Sequence, residues 1–247
     1  MTALVLALIA GAIVGLALGA LGGGGSVLAV PALIYLLGFS PSAATTASLI
    51  IVAATSATAL YAHARDGHVA WKVGSLFSAA GIIPAYAAGA AAGRVPEAVL
   101  TIAFSVIAAL AAVRMLRPSA DKPVGRIRPG KAAGAGAGLG AVTGFLGVGG
   151  GFLAVPALVS VLGLTMRRAV GTSLLVITVN SLAALIARAG TGGGLDWALI
   201  GPFTGAAILS AWDGKRLSVK VSGNRLQKVF AGVLLAVAVS MLIDVIV

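Results

Sequence analysis

Lysine, arginine, aspartate and glutamate lie between, or at the ends of, ten apolar segments at about 2–21, 26–37, 42–62, 69–92, 97–116, 132–147, 150–162, 168–188, 197–212 and 225–246. Charged residues make up 9% of the 247-residue chain, against about 25% in a soluble domain. So little charge cannot solvate a globule of this length, and lipid must serve as the solvent for most of the surface. The reading is an all-α polytopic membrane protein. A net charge of +11 would suggest a nucleic-acid partner on a soluble chain. Here the basic residues sit between apolar segments, which points to membrane topology and not to nucleic acid. The chain has no cysteine, two histidines and six acids. That leaves little for hydrolytic or metal chemistry, so no enzyme activity and no cofactor are expected. The first 22 residues, MTALVLALIAGAIVGLALGALG, lack the basic start of a signal peptide and read as a retained membrane helix.

The halves repeat each other. At an offset of 125, Gly11, Gly15, Gly19, Gly22, Gly24, Gly25 and Gly38 fall on Gly136, Gly140, Gly144, Gly147, Gly149, Gly150 and Gly163. LAVPAL at 28–33 falls on LAVPAL at 153–158, and Ser48 on Ser173. The offset then becomes 126, matching Trp71 with Trp197 and Phe104 with Phe230. Chance similarity between apolar helices would match Leu and Ala, not seven glycines, a proline and a tryptophan in order. The chain divides into a first transmembrane repeat (1–116), a polar linker (117–131) and a second repeat (132–247).

Cytoplasmic loops carry excess Lys and Arg. With the linker inside, and the first two segments of each half counted as a hairpin, the inside regions are 63–72, 112–131, 163–168 and 213–228. They hold fifteen of the seventeen basic residues. Both termini then lie outside and each half makes a net three crossings. The halves have opposite orientation, the inverted repeat of many secondary transporters.

Each copy of the motif, LGGGGSVLAVPAL at 21–33 and LGVGGGFLAVPAL at 146–158, places glycines before a segment of about 12 residues. At ~1.5 Å per residue that is about 18 Å, short of a ~30 Å hydrocarbon core. The segments read as half-helices whose N-termini lie deep in the membrane. A helix N-terminus presents unbonded N–H groups and partial positive charge, and glycine lets a ligand approach the backbone. Two such ends converging near the midplane would hold an anion without a buried cation. Gly11, Gly15 and Gly19, with Gly136, Gly140 and Gly144, form overlapping GxxxG patterns that read as helix packing. A nucleotide-binding reading fails, because no strand precedes the glycines and no Gly-Lys-Ser/Thr follows. Pro31 and Pro156 each remove a backbone donor, as a tolerated kink or as a local opening beside the site.

The third and eighth segments carry polar residues. Ser48 and Thr55 are two turns apart on one face, Ser173 and Asn180 are their equivalents, Thr45 extends the first face and Thr172 adjoins Ser173. Hydroxyls and amides can donate to an oxyanion; alternatively they bond their own helix carbonyls. His63 and His68 flank the inner end of the third segment, at the headgroup level, with His63 a candidate proton or gating residue. No carboxylate falls in mid-segment, so Asp/Glu proton coupling of the kind pumps use finds no residue.

The paired GGGGSVLAVPAL and GVGGGFLAVPAL, the VGTSLLV run and HARDGHVAWK resemble the sulfite exporter TauE/SafE family of membrane permeases, over the whole chain. The resemblance implies transport of sulfur-containing anions (sulfite, sulfoacetate or related organosulfonates), commonly by export from the bacterial cytoplasm across the inner membrane. It puts Gly22, Gly23, Gly24, Gly25 and Ser26 at the site with Gly147, Gly149, Gly150 and Gly151, and Ser48, Thr172 and Ser173 beside them. The first half departs from the pattern, with TTAS where the second has VGTS. The expected partners are a small anion and the lipid bilayer. Two other readings are a passive anion channel with the same site and a membrane anchor for a soluble enzyme.

Overall fold

The computed structural model describes residues 2–92, 97–116, 129–146, 151–187 and 195–246. Within them the chain is all helical, with no strand: α1 (Thr2–Leu21), α2 (Gly24–Pro31), α3 (Pro41–Arg65), α4 (Trp71–Ala92), α5 (Glu97–Leu116), α6 (Pro129–Leu146), α7 (Gly151–Ser160), α8 (Met166–Ala187), α9 (Trp197–Lys220) and α10 (Gly223–Ile246). Among the described residues, four stretches are long and apolar enough to cross a membrane: Thr2–Leu21, Ala43–Arg65, Met166–Ile186 and Gly223–Ile243. Each expected segment corresponds to a helix. The segment expected at 197–212 continues as helix to Lys220, and α6 starts at Pro129, where a proline without an N–H suits a first helical turn.

The two short helices are present. α2 has 8 residues and passes at Pro31 into a five-residue π-helical turn, Ala32–Leu36. The helix thus changes its hydrogen-bonding pattern directly after Pro31. α7 has 10 residues and carries Pro156 inside it.

The GxxxG glycines pack helices from different halves. A Cβ on Gly11, Gly15 or Gly19 of α1 would lie 2.3, 2.0 or 2.1 Å from the carbonyl oxygen of Phe203, Ala207 or Ala211 of α9. Partners advance in step along both helices, so α1 and α9 run parallel. In α6, a Cβ on Gly136 or Gly140 would lie 2.2 Å from the carbonyl oxygen of Phe77 or Gly81 of α4. Phe77 and Gly81 are the repeat equivalents of Phe203 and Ala207 at the 126 offset. The packing thus repeats with the sequence: α1 on α9 mirrors α6 on α4. The glycines let the helix backbones approach closely, which drives association in lipid.

Helices α3 and α8, repeat equivalents, pack antiparallel. The Ser56 and Thr178 hydroxyls bond at 2.9 Å. Seven residues on in α3 and seven back in α8, a Cβ on Gly171 would lie 3.4 Å from the His63 Cβ. Ser181 is the equivalent of Ser56, but Ala53 stands where Thr178 has its equivalent, so the buried Ser181 hydroxyl has no partner among the described residues. Ser56→Ala should lower stability by about 0.6 kcal/mol, the mean for an interhelical side-chain bond in a membrane protein. Ser181→Ala should be neutral or stabilising, because it removes an unsatisfied group. Thermal unfolding of the two variants in one detergent checks the difference.

Candidate functional site

Helix α1 ends because Gly22 takes φ +70°, a left-handed conformation costly to any residue with a Cβ. Its N–H donates to Leu18 O at 2.8 Å. Gly23 then caps α2 without any side-chain hydrogen bond, and Gly24, Gly25 and Ser26 form the first turn. Gly25 is a packing residue: its Cβ would lie 2.5 Å from Leu18 Cβ and 2.6 Å from Val14 O. α2 therefore folds back directly against α1.

The turn itself seats on the other half of the chain. A Cβ on Gly22 would lie 2.4 Å from Ser173 Oγ, 3.2 Å from Val170 O and 3.3 Å from Val155 Cγ2. The start of α2 thus meets α8 and the second turn of α7. Gly151 opens α7 and is buried; Gly147, Gly149 and Gly150 lie outside the described residues.

The hydroxyls mostly bond their own helices. Ser48 Oγ donates to Thr45 O at 2.8 Å, Thr55 Oγ1 to Ile51 O at 2.7 Å and Ser173 Oγ to Val170 O at 2.8 Å. Thr45 is half-buried and contributes the carbonyl for Ser48. Thr172 Oγ1 accepts from the Ala70 N–H at 3.0 Å, fixing the start of α4 on α8. Donation to an anion would require rotation of these hydroxyls. Asn180 differs: it is half-buried, and its carboxamide makes no hydrogen bond among the described residues. Thr55 and Asn180 stand one and two residues from the Ser56–Thr178 bond, where α3 crosses α8. Ser56 and Thr178 escaped the sequence reading, although Ser56 adjoins the chosen Thr55 and Thr178 stands two residues before the chosen Asn180.

His63 lies in the last turn of α3. It is 3% exposed, and its Nε2 lies 3.1 Å from Gly19 O, one turn before the Gly22 reversal. With a carbonyl as partner, Nε2 carries the hydrogen, and Nδ1 has no partner among the described residues. The His68 ring stands edge-on with centroids 6.4 Å apart. Just beyond α3, Asp66 pairs with Lys215 of α9 at 2.6 Å. The Lys215 hydrogen bond holds the Asp66 carboxyl below its ordinary pKa. The pair therefore contributes at neutral pH and is lost as pH falls through that lowered value.

Spanning helices packed by glycine, with short broken helices buried between them, define a multi-pass helical membrane protein of the transporter class. The chain belongs to the Sulfite exporter TauE/SafE family, whose model matches residues 7–241. It is 34% identical over 240 residues to a "Probable membrane transporter protein" of Xylella fastidiosa (strain 9a5c), covering 93% of this chain and 91% of the relative. It is 32% identical over 240 residues, with the same coverage, to a protein of the same description from Xylella fastidiosa (strain Temecula1 / ATCC 700964). No solved structure matches. The protein is a membrane transporter.

Proposed function

We propose that this transporter exports sulfur-containing anions (sulfite, sulfoacetate or related organosulfonates) from the cytoplasm across the bacterial inner membrane. The anion binds between the starts of α2 and α7 and the crossing of α3 and α8. One observation carries the reading: the Gly22 reversal, which opens α2, abuts Ser173 of the opposite repeat at a distance that admits no Cβ. A helix start that no side chain caps favours an anion through its dipole, and the Asn180 carboxamide supplies a neutral donor. Binding of sulfite, sulfoacetate, taurine, sulfate and thiosulfate to purified protein tests the reading. A sulfonate or sulfite should bind in preference to the zwitterion taurine, and Asn180→Leu should weaken that binding about tenfold, the loss of one charge-assisted hydrogen bond. Failure of every anion to bind overturns it.

The two repeats are inverted, both termini are periplasmic and the 117–131 linker is cytoplasmic. This arrangement puts fifteen of seventeen basic residues inside. The natural chain has no cysteine, so single cysteines report cleanly. An impermeant thiol reagent added outside should label Thr2→Cys and spare Ser119→Cys; the reverse pattern rules the orientation out.

A further inference from the structure

A groove of about 470 Å³ opens between α1, α9 and α10, with Leu28 of α2 at its floor. Its walls are Ile13, Leu16 and Ala17 of α1, Leu217 of α9, and Val229 and Val233 of α10. Ile13 and Val229, on facing walls, are 58% and 54% exposed, so the groove is open to the surrounding medium. The one hydroxyl in it, on Ser210, donates to Ala206 O at 2.8 Å. Nothing in the groove suits a polar ligand. From Ala12 to Leu21 it follows α1 for about 13 Å at ~1.5 Å per residue, a depth that suits an extended hydrocarbon chain.

One end of the groove is the α9–α10 turn, where Val221 N–H bonds Leu217 O and Leu226 N–H bonds Ser222 O. Lys220 adjoins Val221, Arg225 adjoins Leu226, and Lys228 adjoins Val229, and all three are exposed. Arg167 reaches the same turn from α8, donating to Val219 O at 3.0 Å. The nearby acids are engaged elsewhere, Asp66 with Lys215 and Asp213 with Arg216. Lys220, Arg225 and Lys228 have no ion pair among the described residues. Topology alone accounts for cations on one side of the membrane, but not for an apolar groove that leads from them. The feature also breaks the repeat: the positions equivalent to Lys220, Arg225 and Lys228 in the first half are Arg94, Val99 and Ile102.

We infer that this groove seats an acyl chain of an anionic phospholipid from the leaflet at the α9–α10 end, with its phosphate on Lys220, Arg225 and Lys228. The seat lies against Leu21 and Leu28, on either side of the Gly22 reversal, so the lipid braces the α1–α2 hairpin. The test is lipid retention by the purified full-length protein, measured by native mass spectrometry with phosphatidylglycerol or phosphatidylcholine of identical chains. The native protein should hold phosphatidylglycerol with a preference of about tenfold or more, given three cations at the headgroup level. The triple variant Lys220→Gln, Arg225→Gln, Lys228→Gln should bring the two lipids to near parity. Val229→Trp should reduce retention of both by filling the groove; Ile13→Trp does the same from the facing wall should the first variant fail to fold. Equal retention of the two lipids by the native protein overturns the proposal. So does a preference that survives the triple substitution, or undiminished retention in a folded, groove-filled variant.

Discussion

Gly22→Ala should weaken sulfonate binding by about tenfold or more, equivalent to about 1.4 kcal/mol. Two costs meet at this position. The first is backbone: Gly22 holds φ +70°, where a Cβ costs roughly 1–2 kcal/mol. The second is contact: the new Cβ would lie 2.4 Å from Ser173 Oγ, so the start of α2 must move away from α8. Gly67 separates the two. It has φ +71° in the α3–α4 turn, and nothing lies within 4 Å of its Cβ position. Gly67→Ala therefore carries the backbone cost alone and should lower the melting temperature while leaving affinity unchanged. Adding Ser173→Ala to Gly22→Ala removes the atom in the way and should return part of the stability, a coupling that a double-mutant cycle reads directly. If folded Gly22→Ala binds a sulfonate as the native protein does, the anion site is not at this turn.

The sequence made the helices legible because hydropathy and glycine placement both mark them. α1 and α5 end at the residues expected, Leu21 and Leu116. The α9 end was not legible from hydropathy, which stops where charge begins at Asp213. The helix continues through residues whose charges find partners: Arg216 bonds Asp213 one turn back and Lys215 is tied to Asp66. The motif glycines could be chosen but not sorted. Gly22 turns the chain, Gly25 packs on α1, and Gly11, Gly15 and Gly19 pack on a helix nearly 200 residues away in sequence; those partners exist only once the halves interlock. The hydroxyls show the same limit. Residue type and spacing selected Ser48, Thr55, Thr172 and Ser173, but where each proton goes depends on rotamer and neighbour. Likewise, only the packing of α1, with the Gly19 carbonyl on its Nε2, shows that the His63 ring is buried within the protein.

Efflux of a monoanionic sulfonate should run on membrane potential alone. Among the described residues the acids sit at helix ends or in turns: Asp66 follows α3, Asp196 caps α9 by accepting from the Ala198 N–H at 3.0 Å, and Asp213 is exposed near the end of α9. None stands beside the Thr55–Asn180 crossing, where a carboxylate would be needed to carry a compensating proton. The proposed site offers N–H dipoles and a carboxamide, so the bound anion travels as net negative charge. An inside-negative potential supplies about 2.3 kcal/mol per elementary charge per 100 mV, roughly a 50-fold outward concentration ratio at ~1.4 kcal/mol per tenfold. Two features of the structure give the expectation its risk. His63 is a buried titratable group whose Nε2 meets Gly19 O, one turn from the Gly22 reversal, and the π-helical turn after Pro31 departs from α-helical bonding where backbone carbonyls could take a sodium ion. Proteoliposomes loaded with a sulfonate and clamped with potassium and valinomycin separate the cases. Efflux should accelerate as the interior is made negative and ignore a pH or sodium gradient imposed at zero potential, and His63→Gln should keep that voltage dependence. Electroneutral efflux driven by a proton gradient and abolished in His63→Gln would assign the coupling to His63. Efflux driven by sodium would move it to the carbonyls after Pro31. Either result removes membrane potential as the sole driving force.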